Sequence, residues 1–386
     1  MGPPEKAGPT PRKLGGDGGN GAGERDPAHL MGEATLRLAR YGTAKAHTRR
    51  ALESVTDEQA RGIGLRLGKI RQCGDWLLFR HFPTLQDTKL HSANFCSVHL
   101  ACGFCAIRRG ARMMAKYLER FQLIRARHPE LAPYLVTFTV KNGLDLAERL
   151  AHLERSLTRL NKRRHGKRSR SMLRDVRGAV WSYEVTWSAA NGWHPHVHAI
   201  WLCESEPDVY ALRSEWSDVT GDSFMCDVRP IEADANAPAD CDPHAKGFAE
   251  VFKYAMKAAE LPTAQLLQAF DVMHGRRLVR SFGEFYGVQE PANDDLGDEL
   301  PESDLPYIDL LWRYSQRGER YELAKALDFT DPATRGRGGD VARVPSGSAA
   351  VATGHLRGAA GGTEQRKRAI RRRVAEQLTE SADHGA

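Results

Sequence analysis

The stretch GWHPHVHAIWLC, residues 192–203, places three histidines on alternate positions and runs straight into an apolar segment. A period of two belongs to a β-strand, in which successive side chains point to opposite faces. His194, His196 and His198 therefore share one face, and Val197, Ala199 and Trp201 share the other. Such a strand buries one side and gathers imidazoles on the other. The preceding segment, GAVWSYEVTW at 178–187, reads as a second strand, joined to the first by the turn SAANG at 188–192. If that turn centres near Ala190, antiparallel pairing sets Glu184 opposite His196. Directly opposed side chains on one face stand about 5 Å apart. A slip of one residue would carry Glu184 to the wrong face. His196, His198 and Glu184 thus offer two nitrogens and one oxygen to a divalent cation, with further positions open to substrate. His194 would support that set from its edge.

The rest of the chain supplies partners for this hairpin. Residues 33–72 carry apolar and charged residues at helical spacing, and DWLLFRHF (75–82) reads as a strand. Residues 91–131 begin as a Cys-rich turn and continue as a long amphipathic helix with Arg and Lys on one side. PYLVTFTVKN (133–142) is a β-branched strand closed by Asn142-Gly143, and 144–164 is a helix. After the histidine strand come a helix at 206–221, a strand at 224–231 and a helix at 246–261; 305–328 suits a hairpin. The order β-α-β-β-α-β-α from 133 to 261 implies an α+β fold. It has an antiparallel or mixed central sheet, the histidine strand in its centre, and helices on one face.

Composition bounds the organisation. Residues 1–28 are rich in Gly and Pro and almost free of large apolar side chains, so a disordered tail is expected. Residues 30–132 read as a helical and Cys-rich N-terminal region, 133–290 as the core that holds the histidine hairpin, and 291–328 as an acidic linker with a C-terminal hairpin. Residues 329–386 read as a disordered basic tail. The net charge is +7, and the cations cluster at 159–177 and 366–373. Lys162, Arg163, Arg164, Lys167, Arg168 and Arg170 are candidates for tracking the phosphates of a nucleic acid. No run of apolar residues approaches the ~20 needed to span a bilayer, and no signal-peptide core is seen, so a cytoplasmic protein without a membrane partner is expected.

In a reduced compartment the seven cysteines are ligands or core residues rather than disulfides. Cys96, His99, Cys102 and Cys105 recur every three residues, and the CxxC at 102–105 has the spacing of a zinc clip. Cys73 lies upstream and could complete a set. A structural Zn²⁺ and a group of reduced cysteines packed at a helix start both fit this pattern. Cys203, Cys226 and Cys241 are scattered and read as core or loop.

HPHVHAIWL resembles the His-hydrophobic-His motif of the HUH endonucleases, the rolling-circle replication initiators and relaxases. NFCSVHLACGFCAIRRG (94–110), YLVTFTVKN (134–142), YEVTW followed by GWHPHVH (183–198), EVFKYAMK (250–257) and RLVRSFGEF (277–285) are similar, in order, to the Rep proteins of small rolling-circle plasmids. The likeness spans roughly residues 70–290. It departs at HLACGFC, where the family usually has Arg-x-Cys-Pro.

The resemblance implies an HUH-type fold and a metal-dependent DNA endonuclease and strand transferase. In that reading Tyr254 attacks a phosphate at the plasmid double-strand origin and leaves a 5′-phosphotyrosyl link. The free 3′-hydroxyl primes synthesis. It implies Mg²⁺ or Mn²⁺ on His196, His198 and Glu184, and Glu250 as general base for the closing step. Glu250 and Tyr254 stand at i and i+4 and so share a helix face; Lys253 and Lys257, also i and i+4, lie beside it. Cations near the phenol favour its ionised form. The implied partners are origin DNA, single-stranded or in a hairpin at the nick, and a host helicase and polymerase. A non-catalytic zinc-containing repressor and a conjugative relaxase are the alternatives. The tyrosine follows the histidines here, an order that disfavours the relaxase.

Overall fold

The computed structural model describes residues 34–166, 171–237, 242–252, 261–289 and 307–328, and the backbone of 339–340. The tails expected at 1–28 and 329–386 fall almost wholly outside these residues. Three helices come first: α1 (Ala34–Leu52), α2 (Asp57–Gly62) and α3 (Leu67–Gln72). A hairpin of β1 (Trp76–Phe82) and β2 (Asp87–Ala93) and the long helix α4 (Gly103–Arg127) follow. Next are β3 (Ala132–Thr139), α5 (Leu146–Arg164), β4 (Val176–Ser188), β5 (Gly192–Cys203), α6 (Val209–Thr220), β6 (Cys226–Pro230) and α7 (Ala245–Phe252). The described chain closes with α8 (Thr263–Met273), β7 (Val279–Gly283), β8 (Ile308–Ser315), β9 (Arg320–Asp328) and β10 (Gly339–Asp340). Among the described residues no helix is long and apolar enough to cross a membrane.

The strands form two sheets, β6-β3-β5-β4-β7 and β10-β9-β8-β1-β2, in which every neighbouring pair is antiparallel. The histidine strand β5 is the central strand of the first sheet, as its pattern predicts. The β4–β5 turn depends on Gly192. Its φ is +73°, and a Cβ there would meet the Gly143 carbonyl oxygen at 2.5 Å. That close approach lets Gly143 and Trp193 exchange backbone hydrogen bonds of 2.7 and 3.1 Å. The end of β3 is thereby tied to the start of β5.

Helices cover both faces of this sheet, not the one face that the element order suggests. On one face the leucines of α5 (Leu146, Leu150, Leu153, Leu160) pack with Val136, Phe138, Val185, Val197 and Ala199. Asp145 caps α5, its carboxylate accepting from the Glu148 amide. On the other face α4 and α7 cover Val180, Ile200 and Leu202, with Tyr117 stacked on Phe252 at 4.9 Å and Phe121 against Phe248. The difference arises because the segment's last helix, α7, packs on the face opposite α5, where α4, from outside the segment, joins it. Each fully buried Leu or Phe in these layers contributes about 1.5–3 kcal/mol.

The C-terminal hairpin expected at 305–328 forms as β8 and β9, and β8 pairs with β1. One buried face of each sheet belongs to a single continuous core. Tyr321 on β9 donates a 2.6 Å hydrogen bond to the Gly74 carbonyl. The ammonium of Lys45 on α1 is buried and contacts the Cys73 carbonyl and the Asp75 carboxylate, each at 2.7 Å. These bonds fix the segment that carries Cys73.

Candidate active site and metal centres

In the β4–β5 hairpin Glu184 pairs with His196, Ser182 with His198 and Thr186 with His194. The register is the one the turn centre at Ala190 requires. The Nε2 atoms of His196 and His198 lie 3.6 and 3.5 Å from one Glu184 carboxylate oxygen. One ligand atom from each of the three residues falls within 4.8 Å of the others. Both rings are held through their other nitrogen. His196 Nδ1 donates to the His194 carbonyl at 3.2 Å, and His198 Nδ1 meets the Thr137 hydroxyl at 3.1 Å. Thr137 is the β3 partner of His198, so the sheet itself aims that ring. Donation from Nδ1 to a carbonyl leaves Nε2 of His196 as the lone-pair nitrogen, the arrangement that metal-bound histidines show, and the Thr137 hydroxyl can accept from His198 Nδ1 in the same way. Glu184 and His196 are buried and His198 half-buried, so one flank of the group faces outward.

His194 stands beside the group rather than in it. Its Nδ1 lies 2.6 Å from the Asn142 side-chain oxygen, and its ring stacks on His196 at 5.1 Å. Burial holds its pKa below the usual histidine value, with His196 acting in the same direction.

Helix α7 ends over this face. The Ser182 hydroxyl donates to the Val251 carbonyl. Ser182 sits two residues from Glu184 and directly across from His198, so this bond moors α7 within one strand pair of the imidazoles. Glu250 lies in α7 and is half-buried. Lys253, Tyr254 and Lys257 lie outside the described residues. The contribution of Ser182 was not singled out in the sequence; its position two residues before Glu184 is the signal that could have found it.

The second cluster joins four cysteines. Cys73 after α3, Cys96 after β2, and Cys102 and Cys105 at the start of α4 are buried, with their sulfurs within 4.8 Å of one another. Cys105 Sγ is 3.5 Å from Cys73 Sγ and 3.6 Å from Cys96 Sγ. Sulfurs ~2.3 Å from a tetrahedral zinc would stand at nearly that spacing. The Cys96 amide donates to Cys73 Sγ and the Val98 amide to Cys96 Sγ, and Ser97 between them takes a left-handed φ of 59°. Hydrogen bonds from Cys102 above all hold the Cys105 thiol well below the ordinary thiol range. His99 is not among the four. It turns the other way, to line a cavity with Ser182 and Val251. Burial pushes the thiols of Cys203 and Cys226 up to about 12 and about 11, as befits core residues. Cys241 lies outside the described residues.

The structure places Lys162, Arg163 and Arg164 in the last turn of α5, on the face away from the imidazoles. Arg163 reaches Asp218 at 3.7 Å and Arg164 covers the Phe282 ring at 4.0 Å. Lys167, Arg168 and Arg170 fall outside the described residues. Trp181, Trp187 and Trp193 share the alternate positions of β4 and β5 opposite the metal-ligating face, and Trp193 is fully buried.

A family model described as a replication protein, Rep_1, matches residues 87–309. The chain belongs to the Rep_1 family. It is a plasmid replication initiator, and such a protein binds origin DNA. No curated protein and no solved structure matches the chain. The matched span of this initiator runs from β2 into β8. It takes in both strands of the imidazole hairpin, α7 and three of the four clustered cysteines; Cys73 lies upstream of it.

Proposed function

We propose that this initiator nicks and rejoins DNA at the plasmid double-strand origin through a 5′-phosphotyrosyl intermediate. The observation that carries the reading is the convergence of His196 Nε2, His198 Nε2 and the Glu184 carboxylate beside the end of α7. The Glu184 oxygen and the open flank, free for water and phosphate oxygens, suit Mg²⁺ or Mn²⁺, and the two imidazoles complete the set. His196, His198 and Glu184 would hold such an ion, which would polarise the scissile phosphate and offset the charge that builds on it.

Tyr254 follows Val251 by three residues, and its phenol is the nucleophile. Its oxygen bonds to phosphorus, and the bond from phosphorus to the 3′ oxygen breaks. The phenolic proton passes to solvent and a free 3′-hydroxyl is left. Lys257 and Lys253 favour the phenolate. Glu250 deprotonates the water that later hydrolyses the phosphotyrosyl link, which releases the protein. The cysteine quartet holds a structural Zn²⁺. Lys162, Arg163 and Arg164, on the opposite face, contact origin phosphates together with Lys167, Arg168 and Arg170, and a host helicase and polymerase extend from the new 3′ end.

The test is to incubate supercoiled origin plasmid with Mg²⁺ or Mn²⁺ and either the wild type or Tyr254→Phe. Nicking by the wild type alone is expected. Equal nicking by both would remove Tyr254 from the reaction. Binding without nicking by either would favour a non-catalytic repressor.

A further inference from the structure

A cavity opens between the start of α4, the end of α7 and the first residues of β7. Ser182, whose cross-strand partner is His198, forms one wall, so the cavity adjoins the imidazole group. His99 and Arg109 form another. Neither has a role in metal ligation or in the nucleophilic step. Both come from the stretch that the cysteine cluster fixes. His99 lies between Cys96 and Cys102, and Arg109 is one helical turn beyond Cys105.

Gly110 explains how α4 comes so near. A Cβ at this position would meet the Phe252 carbonyl oxygen at 2.5 Å, so only glycine lets the helix touch the backbone at the end of α7. Arg109 is therefore carried against the point from which the chain continues to Tyr254. Arg112 and Lys116 extend the line, three and seven residues on, along the same flank of α4. Arg108 is turned elsewhere, its guanidinium 3.7 Å over the Phe95 ring.

We propose that His99 and Arg109 form a subsite for a DNA phosphate flanking the scissile linkage, and that the cysteine cluster is the brace that positions it. The proposal rests on the nicking reading above. The ligand is a single-stranded phosphodiester. A guanidinium fork matches phosphate oxygens in geometry and charge, and a neighbouring imidazole adds a further donor. Arg112 and Lys116 then guide the strand along α4. The cluster serves the reaction at a distance, by holding its turn and helix against the sheet.

The experiment uses the full chain with its metals and a fluorescent single-stranded oligonucleotide spanning the nick site. Binding is read by anisotropy in EDTA-free buffer without Mg²⁺ or Mn²⁺, and nicking is read after Mn²⁺ is added. Arg109→Gln is expected to weaken binding about 10- to 100-fold, and to reduce the slope of log K against log salt by about 0.7. KM should rise by the same factor with kcat nearly unchanged. Arg109→Lys should restore part of the loss, and His99→Gln should show a smaller one. Zinc content and Mn²⁺ binding in the absence of DNA should match the wild type, which establishes that the variants are folded. Wild-type affinity and salt slope in Arg109→Gln would overturn the subsite. Because binding is read separately, a wild type that binds but never nicks would count against the nicking reading, while the subsite is decided on affinity alone.

Discussion

The two ligand clusters of this initiator are built in opposite ways. Glu184, His196 and His198 come from adjacent strands of one hairpin, and their group keeps a half-buried flank. The four cysteines come from three separate segments, and all are buried. Three ligands with an open side suit an ion that must also hold substrate, whereas four enclosed thiolates suit an ion that only holds the protein. The strand pair needs no metal to fold, because its register follows from the turn and the apolar face. The cysteine cluster draws together α3, β2 and α4 inside the main core, where a bound ion would cross-link three segments.

This contrast orders the tests. The largest effect belongs to the closed cluster. Cys105→Ser should lose the zinc and about 4 kcal/mol or more of unfolding free energy, read by urea titration with metal analysis. A variant with full stability would break the comparison. Next is the open group. His198→Ala should lower nicking about 1,000-fold, equivalent to ~4 kcal/mol of transition-state stabilisation, while the urea midpoint changes little. Unfolding of that variant would mean that the imidazole group is structural as well. A smaller effect is expected for Thr137→Val, which removes the hydroxyl on His198 Nδ1. Mn²⁺ affinity, by calorimetry, should fall about 10- to 100-fold. Unchanged affinity would show that the ring is aimed by packing alone. The smallest change should come from His99→Gln, whose zinc content should stay at the wild-type level because His99 stands outside the quartet.

The open group was legible in the sequence because it is local. A short turn makes the register of β4 and β5 a matter of symmetry, and Glu184 falls opposite His196 by counting. The central place of β5 followed from its apolar run. The closed cluster was only half legible. The CxxC announced itself, but choosing Cys73 over His99 depends on which way the turn at Ser97 folds. The second sheet was not foreseen. Residues 87–90 of β2 draw no assignment from the sequence pattern and 91–93 read into the Cys-rich turn, and β8 pairs with β1 across a large separation, with Arg80 and Asp309 229 positions apart. No short-range pattern encodes such a pairing. The cover of α4 on the imidazole face was hidden for the same reason, and with it the cavity beside Ser182.

The nicking reaction proposed above requires a tyrosine after α7 to reach DNA held at the imidazole group. Its most direct measurement is to trap the protein on an origin oligonucleotide with Mn²⁺, digest it, and locate the nucleotide adduct by mass spectrometry. The expected result is a 5′-phosphotyrosyl adduct on Tyr254 in the wild type and none in His198→Ala. An adduct on another residue, or one formed equally well in His198→Ala, would contradict the claim.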